Sequence, residues 1–274
     1  MTKLAVLGGG NLGRALALGW VGAGRLTPSD ICITRRQSEK LSDLQEAGYV
    51  TGADNLDAVR ASDLIIVSVQ PQQLDALLQE IADELNPSRH RLISVVTGVS
   101  MAQVRATLAS RAPSTGNEVP LVRAMPNTAV LIGESMTCLA GAEGSEEALG
   151  QAQELFDLVG RTLVIQEDMM AQATALCACG VAFFLRTVRA ASQGGIEIGF
   201  HPEDALLLAG QTARGAASLS LKEDTHPEGE IDRVTTPRGC TIAGLNEMEH
   251  QGLSSAMIKG LILSAKAAQE LYED

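Results

Sequence analysis

Gly8, Gly10 and Gly13 stand in G-x-G-x-x-G spacing within GGGNLG, directly behind the apolar run KLAVLG and ahead of a helix-periodic stretch. In that setting each glycine has a mechanical task. Gly8 permits a tight strand-to-helix turn, Gly10 lets a pyrophosphate approach the backbone, and Gly13 lets helix and strand touch. The helix start then offers N–H groups and positive dipole to phosphates, so the loop implies a bound dinucleotide. The second strand ends ICITRRQS, with Arg35, Arg36 and Ser38 where an NAD site usually carries an acid for the ribose 2′-hydroxyl. Two guanidinium groups suit a 2′-phosphate. NADPH is the expected cofactor, with NADH as the alternative.

A second stretch, TTPRGCTIAG (235–244), crowds proline, glycine and small polar residues ahead of an apolar-periodic run that begins at Ile242. A plain cap needs only one good residue there. The N–H groups of Gly239, Cys240 and Thr241 are expected to point out of the helix start and receive a carboxylate. The dipole alone contributes about 0.3–1 kcal/mol to such a site. The Thr241 hydroxyl can reach a ring nitrogen, whereas an ordinary helix cap is the plainer reading of the same residues.

Acid–base equipment is otherwise sparse. His90, His201, His226 and His250 are scattered, with neither metal nor triad spacing, and no metal site is expected. Lysine occurs only at Lys3, Lys40, Lys222, Lys259 and Lys266. None falls on the helical run 168–193, where hydroxyacid dehydrogenases commonly place one. A reduced nicotinamide with so few proton donors suits a substrate that is already electrophilic, such as a protonated, amino-acid-like imine.

The elements that position these residues change character along the 274-residue chain. Apolar runs at 3–8, 30–34, 64–69 and 91–96 alternate with amphipathic stretches at 11–23, 38–47, 71–85 and 100–110, which predicts a parallel, doubly wound sheet. Strand candidates follow at 122–125 and 135–140, then a helix over about 145–159 and a strand at 161–165. Beyond Gln166 nearly everything reads as helix. The expectation is an α/β chain with a Rossmann-type dinucleotide-binding domain over 1–165, followed by an all-α domain over 166–274 for dimerisation and substrate. Residues 168–199 carry little charge on any face, so that helix must be covered on more than one side, and a second copy in a homodimer is the expected cover.

A formal net charge of −12 excludes a broad basic surface for nucleic acid. The longest apolar runs look broken by charge or glycine short of a membrane span, and KLAVLGGG begins too early to leave room for a signal peptide. The cysteines at 32, 138, 177, 179 and 240 show no CxxC or zinc spacing and read as buried or small-residue positions in a reducing cytoplasm.

VRAMPNTAVLIGESMT (122–137) and VTTPRGCTIAGLNEMEHQGL (234–253) resemble the two most characteristic stretches of pyrroline-5-carboxylate reductases. QTARGAASL (211–219) and SVQPQQL (68–74) are similar to two further segments of that family, and the likeness runs in order along essentially the whole chain. It implies NAD(P)H-dependent reduction of 1-pyrroline-5-carboxylate to L-proline, the last step of proline synthesis. It also implies an interlocked helical dimer, with higher assemblies such as a decamer of dimers. Carried over by position, Thr241 hydrogen-bonds the ring nitrogen and Cys240 offers its N–H to the carboxylate, while Asp224 is an acid near the substrate. Gly9, Asn11 and Leu12 fall in the phosphate loop, and Asn55, Val69, Gln70, Pro71 and Thr97 fall at other cofactor positions, with Arg35 near the adenosine phosphate.

The chain departs from the pattern in three places. Gln70 stands where lysine is common, Arg238 replaces the first glycine of PGG, and 178–182 lacks the proline of GSGPA. These departures keep two other readings open: a cofactor-binding regulatory homologue without turnover, and a reductase of another cyclic imino acid.

Overall fold

The computed structural model describes residues 4–271. Lys3, which opens the first predicted strand, and the two outer ends of the expected domains lie outside them. The described chain divides into two compact units, one running to Ala178 and resuming at Ser264, the other Cys179–Leu263. The change from alternating strands and helices to helix alone comes after the last strand, at Val164.

The first unit holds one eight-stranded sheet. Its strands are β1 (Leu4–Leu7), β2 (Ile31–Thr34), β3 (Val50–Gly52), β4 (Leu64–Val67), β5 (Arg91–Ser94), β6 (Leu121–Met125), β7 (Ser135–Gly141) and β8 (Gly160–Val164), in the order β3-β2-β1-β4-β5-β6-β7-β8. All neighbours run parallel except β6 and β7, where Val122 faces Gly141 and Met125 faces Cys138. Purely parallel pairing is therefore a correction to make at β7. Nine residues, 126–134, including the 3-10 turn Thr128–Ile132, separate β6 from β7, too little chain for the crossover that parallel neighbours require.

The connecting helices are α1 (Asn11–Gly22), α2 (Ser42–Glu46), α3 (Asn55–Arg60), α4 (Pro71–Ile81), α5 (Met101–Arg111), α6 (Pro113–Glu118) and α7 (Glu146–Asp157), followed by α8 (Met170–Ala173). Strand residues alternate between two buried layers. Ala5 and Leu7 join Leu74, Leu78 and Leu92 on one face, while Leu4 and Val6 join Leu16, Trp20 and Phe156 on the other. Trp20 stacks edge-on against Phe156 at 5.7 Å and donates its Nε1–H to the Leu155 carbonyl at 3.0 Å.

The second unit is helical: α9 (Gly180–Glu197), α10 (Pro202–Ser220), α11 (Pro227–Val234), α12 (Cys240–His250) and most of α13 (Leu253–Glu270). It buries little by itself. Phe184, Leu185 and Leu207 are each more than 60% exposed, so the apolar surface of α9 is uncovered within one chain. The helical stretch Glu167–Glu197 is long and apolar enough, by length and composition, to cross a membrane, with a mean hydropathy of 1.5. This corrects the expectation that charge and glycine break the apolar runs. Gly180, Arg186 and Arg189 lie within the stretch without interrupting the helix. Inside it, Thr174–Cys179 forms a π-helical turn.

Candidate functional site

β1 ends at Leu7 and α1 begins at Asn11, so Gly8, Gly9 and Gly10 form the whole connection. Gly8 takes φ +115°, and a side chain there would run into the Ser68 carbonyl; one at Gly13 would run into the Gly8 carbonyl. At Gly10 the situation reverses, for beyond the adjoining backbone no atom lies within 4 Å of where a Cβ would stand. Gly10 is also the N-cap of α1, with no side-chain cap and no acid in the first turn. Open space in front of uncompensated N–H groups is the cradle a pyrophosphate requires, and the residues present fit a dinucleotide.

This loop opens on a cleft of about 590 Å³ at the C-terminal ends of β1, β2 and β4. Strand order reverses between β1 and β4 there, which is where open α/β sheets bind ligands. Of the residues expected from sequence, Gly8, Gly9, Gly10, Arg35, Arg36, Asn55, Val69 and Gln70 line it. Arg35 Nη1 donates to the Gly9 carbonyl at 3.0 Å and so braces the loop, while Arg36 is exposed at the rim. Asn55 is fixed from both sides, accepting from Thr34 Oγ1 at 2.6 Å and donating to Glu80 Oε2 at 3.0 Å.

Five expected positions do not line the cleft. Asn11, Leu12 and Gly13 form the first turn of α1 behind the loop, and Pro71 opens α4 with Gln70 as its N-cap. Thr97 follows β5, its hydroxyl 4.0 Å from the Met125 sulfur. Conversely, Thr34, Gln37, Ser68, Gln73 and Leu77 line the cleft without having been singled out. Thr34 closes β2 and Ser68 follows β4, so the strand-end rule alone was the signal that could have found both.

The substrate candidates lie in the second unit. Gly239 is the N-cap of α12 in extended conformation, with no side-chain cap and no acid in the first turn. One expectation is corrected here. The Gly239 N–H is not free, because it donates to the Thr236 carbonyl at 2.9 Å. Arg238 takes φ +60° and folds the chain back into that turn. Cys240 and Thr241 open the helix, and the half-buried Thr241 hydroxyl has no protein partner among the described residues. Asp224 sits exposed in the connection between α10 and α11 at φ +58°. Among the described residues, Asp224 and Arg238 are the two non-glycine positions with positive φ, and both flank the candidate substrate-binding segments. No group of three or more His, Cys, Asp or Glu able to hold a metal occurs among the described residues.

Within MPNT, Met125, Pro126 and Asn127 are buried, and Thr128 is exposed. Asn127 is 8% exposed, caps the turn Thr128–Ile132 through the Ala129 N–H at 2.9 Å, and donates Nδ2 to the Cys177 carbonyl at 3.1 Å. Nearby, buried Arg123 pairs with Glu167 at 3.1 Å, and the same carboxylate accepts from the Met101 N–H at 2.6 Å. Burial lowers the Arg123 pKa, and Glu167 opposes that shift.

Residues 167–271 match the family model for pyrroline-5-carboxylate reductase dimerisation, and residues 3–98 match the model for NADP oxidoreductases, coenzyme F420-dependent. The chain is 47% identical to pyrroline-5-carboxylate reductase 1 of Dictyostelium discoideum over 98% of its own length, and it spans half the length of that relative. It is 44% identical to pyrroline-5-carboxylate reductase 2 of the same organism, covering 98% of this chain and 92% of that one. A solved structure of Plasmodium falciparum pyrroline carboxylate reductase with NADP bound shares the fold, with a TM-score of 0.87 at 22% identity over 99% of this chain and 98% of that one.

Proposed function

The chain belongs to the pyrroline-5-carboxylate reductase family, and from that premise we propose that it reduces 1-pyrroline-5-carboxylate to L-proline with NADPH as the electron donor. The observation that carries this reading is the start of α12, where an unpartnered Thr241 hydroxyl stands at an uncapped helix N-terminus. When bound, the reduced nicotinamide supplies the hydride to the imine carbon. The protein's share is binding and orientation. The N–H groups of Cys240 and Thr241 receive the substrate carboxylate, with Gly239 shaping the turn behind them, and charge-assisted bonds of this kind contribute roughly 1.5–3 kcal/mol each. The Thr241 hydroxyl holds the ring nitrogen and helps deliver its proton. Asp224 supplies a negative charge toward the cationic imine.

On the cofactor side, Gly8, Gly9 and Gly10 cradle the pyrophosphate at α1, with Asn11, Leu12 and Gly13 as its first turn. Arg35 braces the loop and Arg36 meets the 2′-phosphate, which favours NADPH over NADH. Asn55, Val69, Gln70, Pro71 and Thr97 complete the cofactor set. Within this reading 1–165 is the dinucleotide-binding domain and 166–274 the helical domain for dimerisation and substrate. The uncovered apolar residues of α9 and α10 support a homodimer through that half, and a decamer of dimers is the higher assembly the family likeness favours. The thiols of Cys138, Cys177, Cys179 and Cys240 are compatible with a reducing cytoplasm.

The test is NADPH oxidation by the purified protein with pyrroline-5-carboxylate, NADH and a six-membered cyclic imine being run in parallel. Thr241→Ala is expected to lower kcat by up to about 10²-fold, the low end for a lost proton donor. NADPH binding without turnover on any cyclic imine would overturn the reductase reading in favour of a regulatory role. Full activity in Thr241→Ala would remove that hydroxyl from the mechanism.

A further inference from the structure

Two thiols far apart in sequence meet inside the first unit. Cys138 on β7 is 4% exposed, and its sulfur lies 3.8 Å from that of Cys177, which is half-buried. Neither takes part in the cofactor cleft or the α12 start. Cys177 belongs to the π-helical turn Thr174–Cys179, a local departure from the α-helix of the kind that is frequent at functional sites. A disulfide needs the sulfurs at about 2.05 Å, so closure asks for about 1.8 Å of approach.

The contact also divides the labour between the two sulfurs. Contact with the Cys138 thiol lowers the Cys177 pKa to about 7, against burial, while Cys138 itself is pushed up. A thiolate beside a resolving thiol is the arrangement that reacts with oxidants.

We infer that Cys138 and Cys177 form a reversible oxidation site, closing to an intramolecular disulfide that fastens β7 to the π-helical turn. With hydrogen peroxide as oxidant, the Cys177 thiolate attacks one peroxide oxygen; the O–O bond breaks, and the departing hydroxide takes up a proton as water. The Cys138 sulfur then attacks the Cys177 sulfenic acid, forming the S–S bond. The hydroxide that leaves is protonated by the proton Cys138 gives up. In sum two thiols lose two hydrogens, and one peroxide becomes two waters. A small dithiol reverses the change by exchange. Because Asn127 Nδ2 holds the Cys177 carbonyl, the tie also bears on the capped turn beyond β6.

The experiment treats the whole purified protein with hydrogen peroxide and measures its intact mass and disulfide-linked peptides. Expected is a loss of two hydrogens, with a peptide bearing Cys138 joined to one bearing Cys177, and full reversal by dithiothreitol. Cys138→Ser and Cys177→Ser each abolish the loss, whereas Cys179→Ser and Cys240→Ser keep it. An unchanged mass, a linkage through Cys179 or Cys240, or oxygen added to Cys177 while Cys138 stays a free thiol would each overturn the inference. The peptide map of the unsubstituted protein decides even if Cys138→Ser fails to fold.

Discussion

Arg238 shows how a single residue sets the geometry of the α12 start. A left-handed backbone at a residue with a Cβ costs roughly 1–2 kcal/mol, and Arg238 bears it at φ +60° while exposed to solvent. Glycine removes that cost but loses about 0.5–1 kcal/mol through greater freedom in the unfolded chain. Arg238→Gly is therefore expected to raise stability by up to about 1 kcal/mol, read as an increase in the denaturation midpoint in urea; a decrease would mean that the guanidinium holds the turn by a contact of its own. The same residue marks the limit of what sequence could say. TTPRGCT announced a helix start with bare backbone, but not that the turn would consume the Gly239 N–H, because φ at position 238 depends on how the chain arrives from α11. At the other site the glycine spacing was legible since each glycine answers a local steric demand. Gln73 and Leu77 were not, because which face of α4 meets the loop is decided by packing.

Among the elements, the connection into β5 carries a pH dependence. The Asn86 N–H donates to His90 Nδ1 at 2.9 Å, which leaves the proton on Nε2, buried and without a partner. His90 is 2% exposed; burial first, and then the nearby Arg89 charge, push its pKa below the ordinary 6.5, with Asp63 opposing. The folded state thus keeps the imidazole neutral, while the unfolded chain takes up a proton as pH falls through about 6.5. This stabilisation is complete above that value and is lost progressively below it. Melting temperature is expected to hold level above pH 7 and fall between pH 6.5 and 5, with a flatter slope in His90→Asn. An equal slope in that variant would assign the loss to other groups. Sequence reading gave His90 only as one of four scattered histidines and could not see its burial. Long strands and helices were legible through periodicity. The three residues of β3 were too few to carry a period, and the reversed direction of β7 lay in the shortness of its connection rather than in its composition.

At the scale of the whole molecule, the first unit is closed around two core layers, whereas the second presents large apolar side chains to solvent. Leu207 on α10 is 70% exposed and Leu263 on α13 is 69% exposed. The segment matched by the dimerisation model holds these side chains, and homo-oligomerisation through it adds an association energy to stability. The melting temperature is expected to rise with protein concentration by about 2–4 °C per tenfold change; a midpoint independent of concentration would mean that each chain is stable alone. The uncovered apolar surface of α9 also has a kinetic consequence. A chain that has finished folding its sheet still waits for another molecule, so the last step is bimolecular and its half-time shortens as chains become more numerous. Non-specific collapse of the same apolar surface is also a meeting of molecules. Crowding the chains together hastens the rescue and the accident alike, and recovery from denaturant has an intermediate concentration at which it is best.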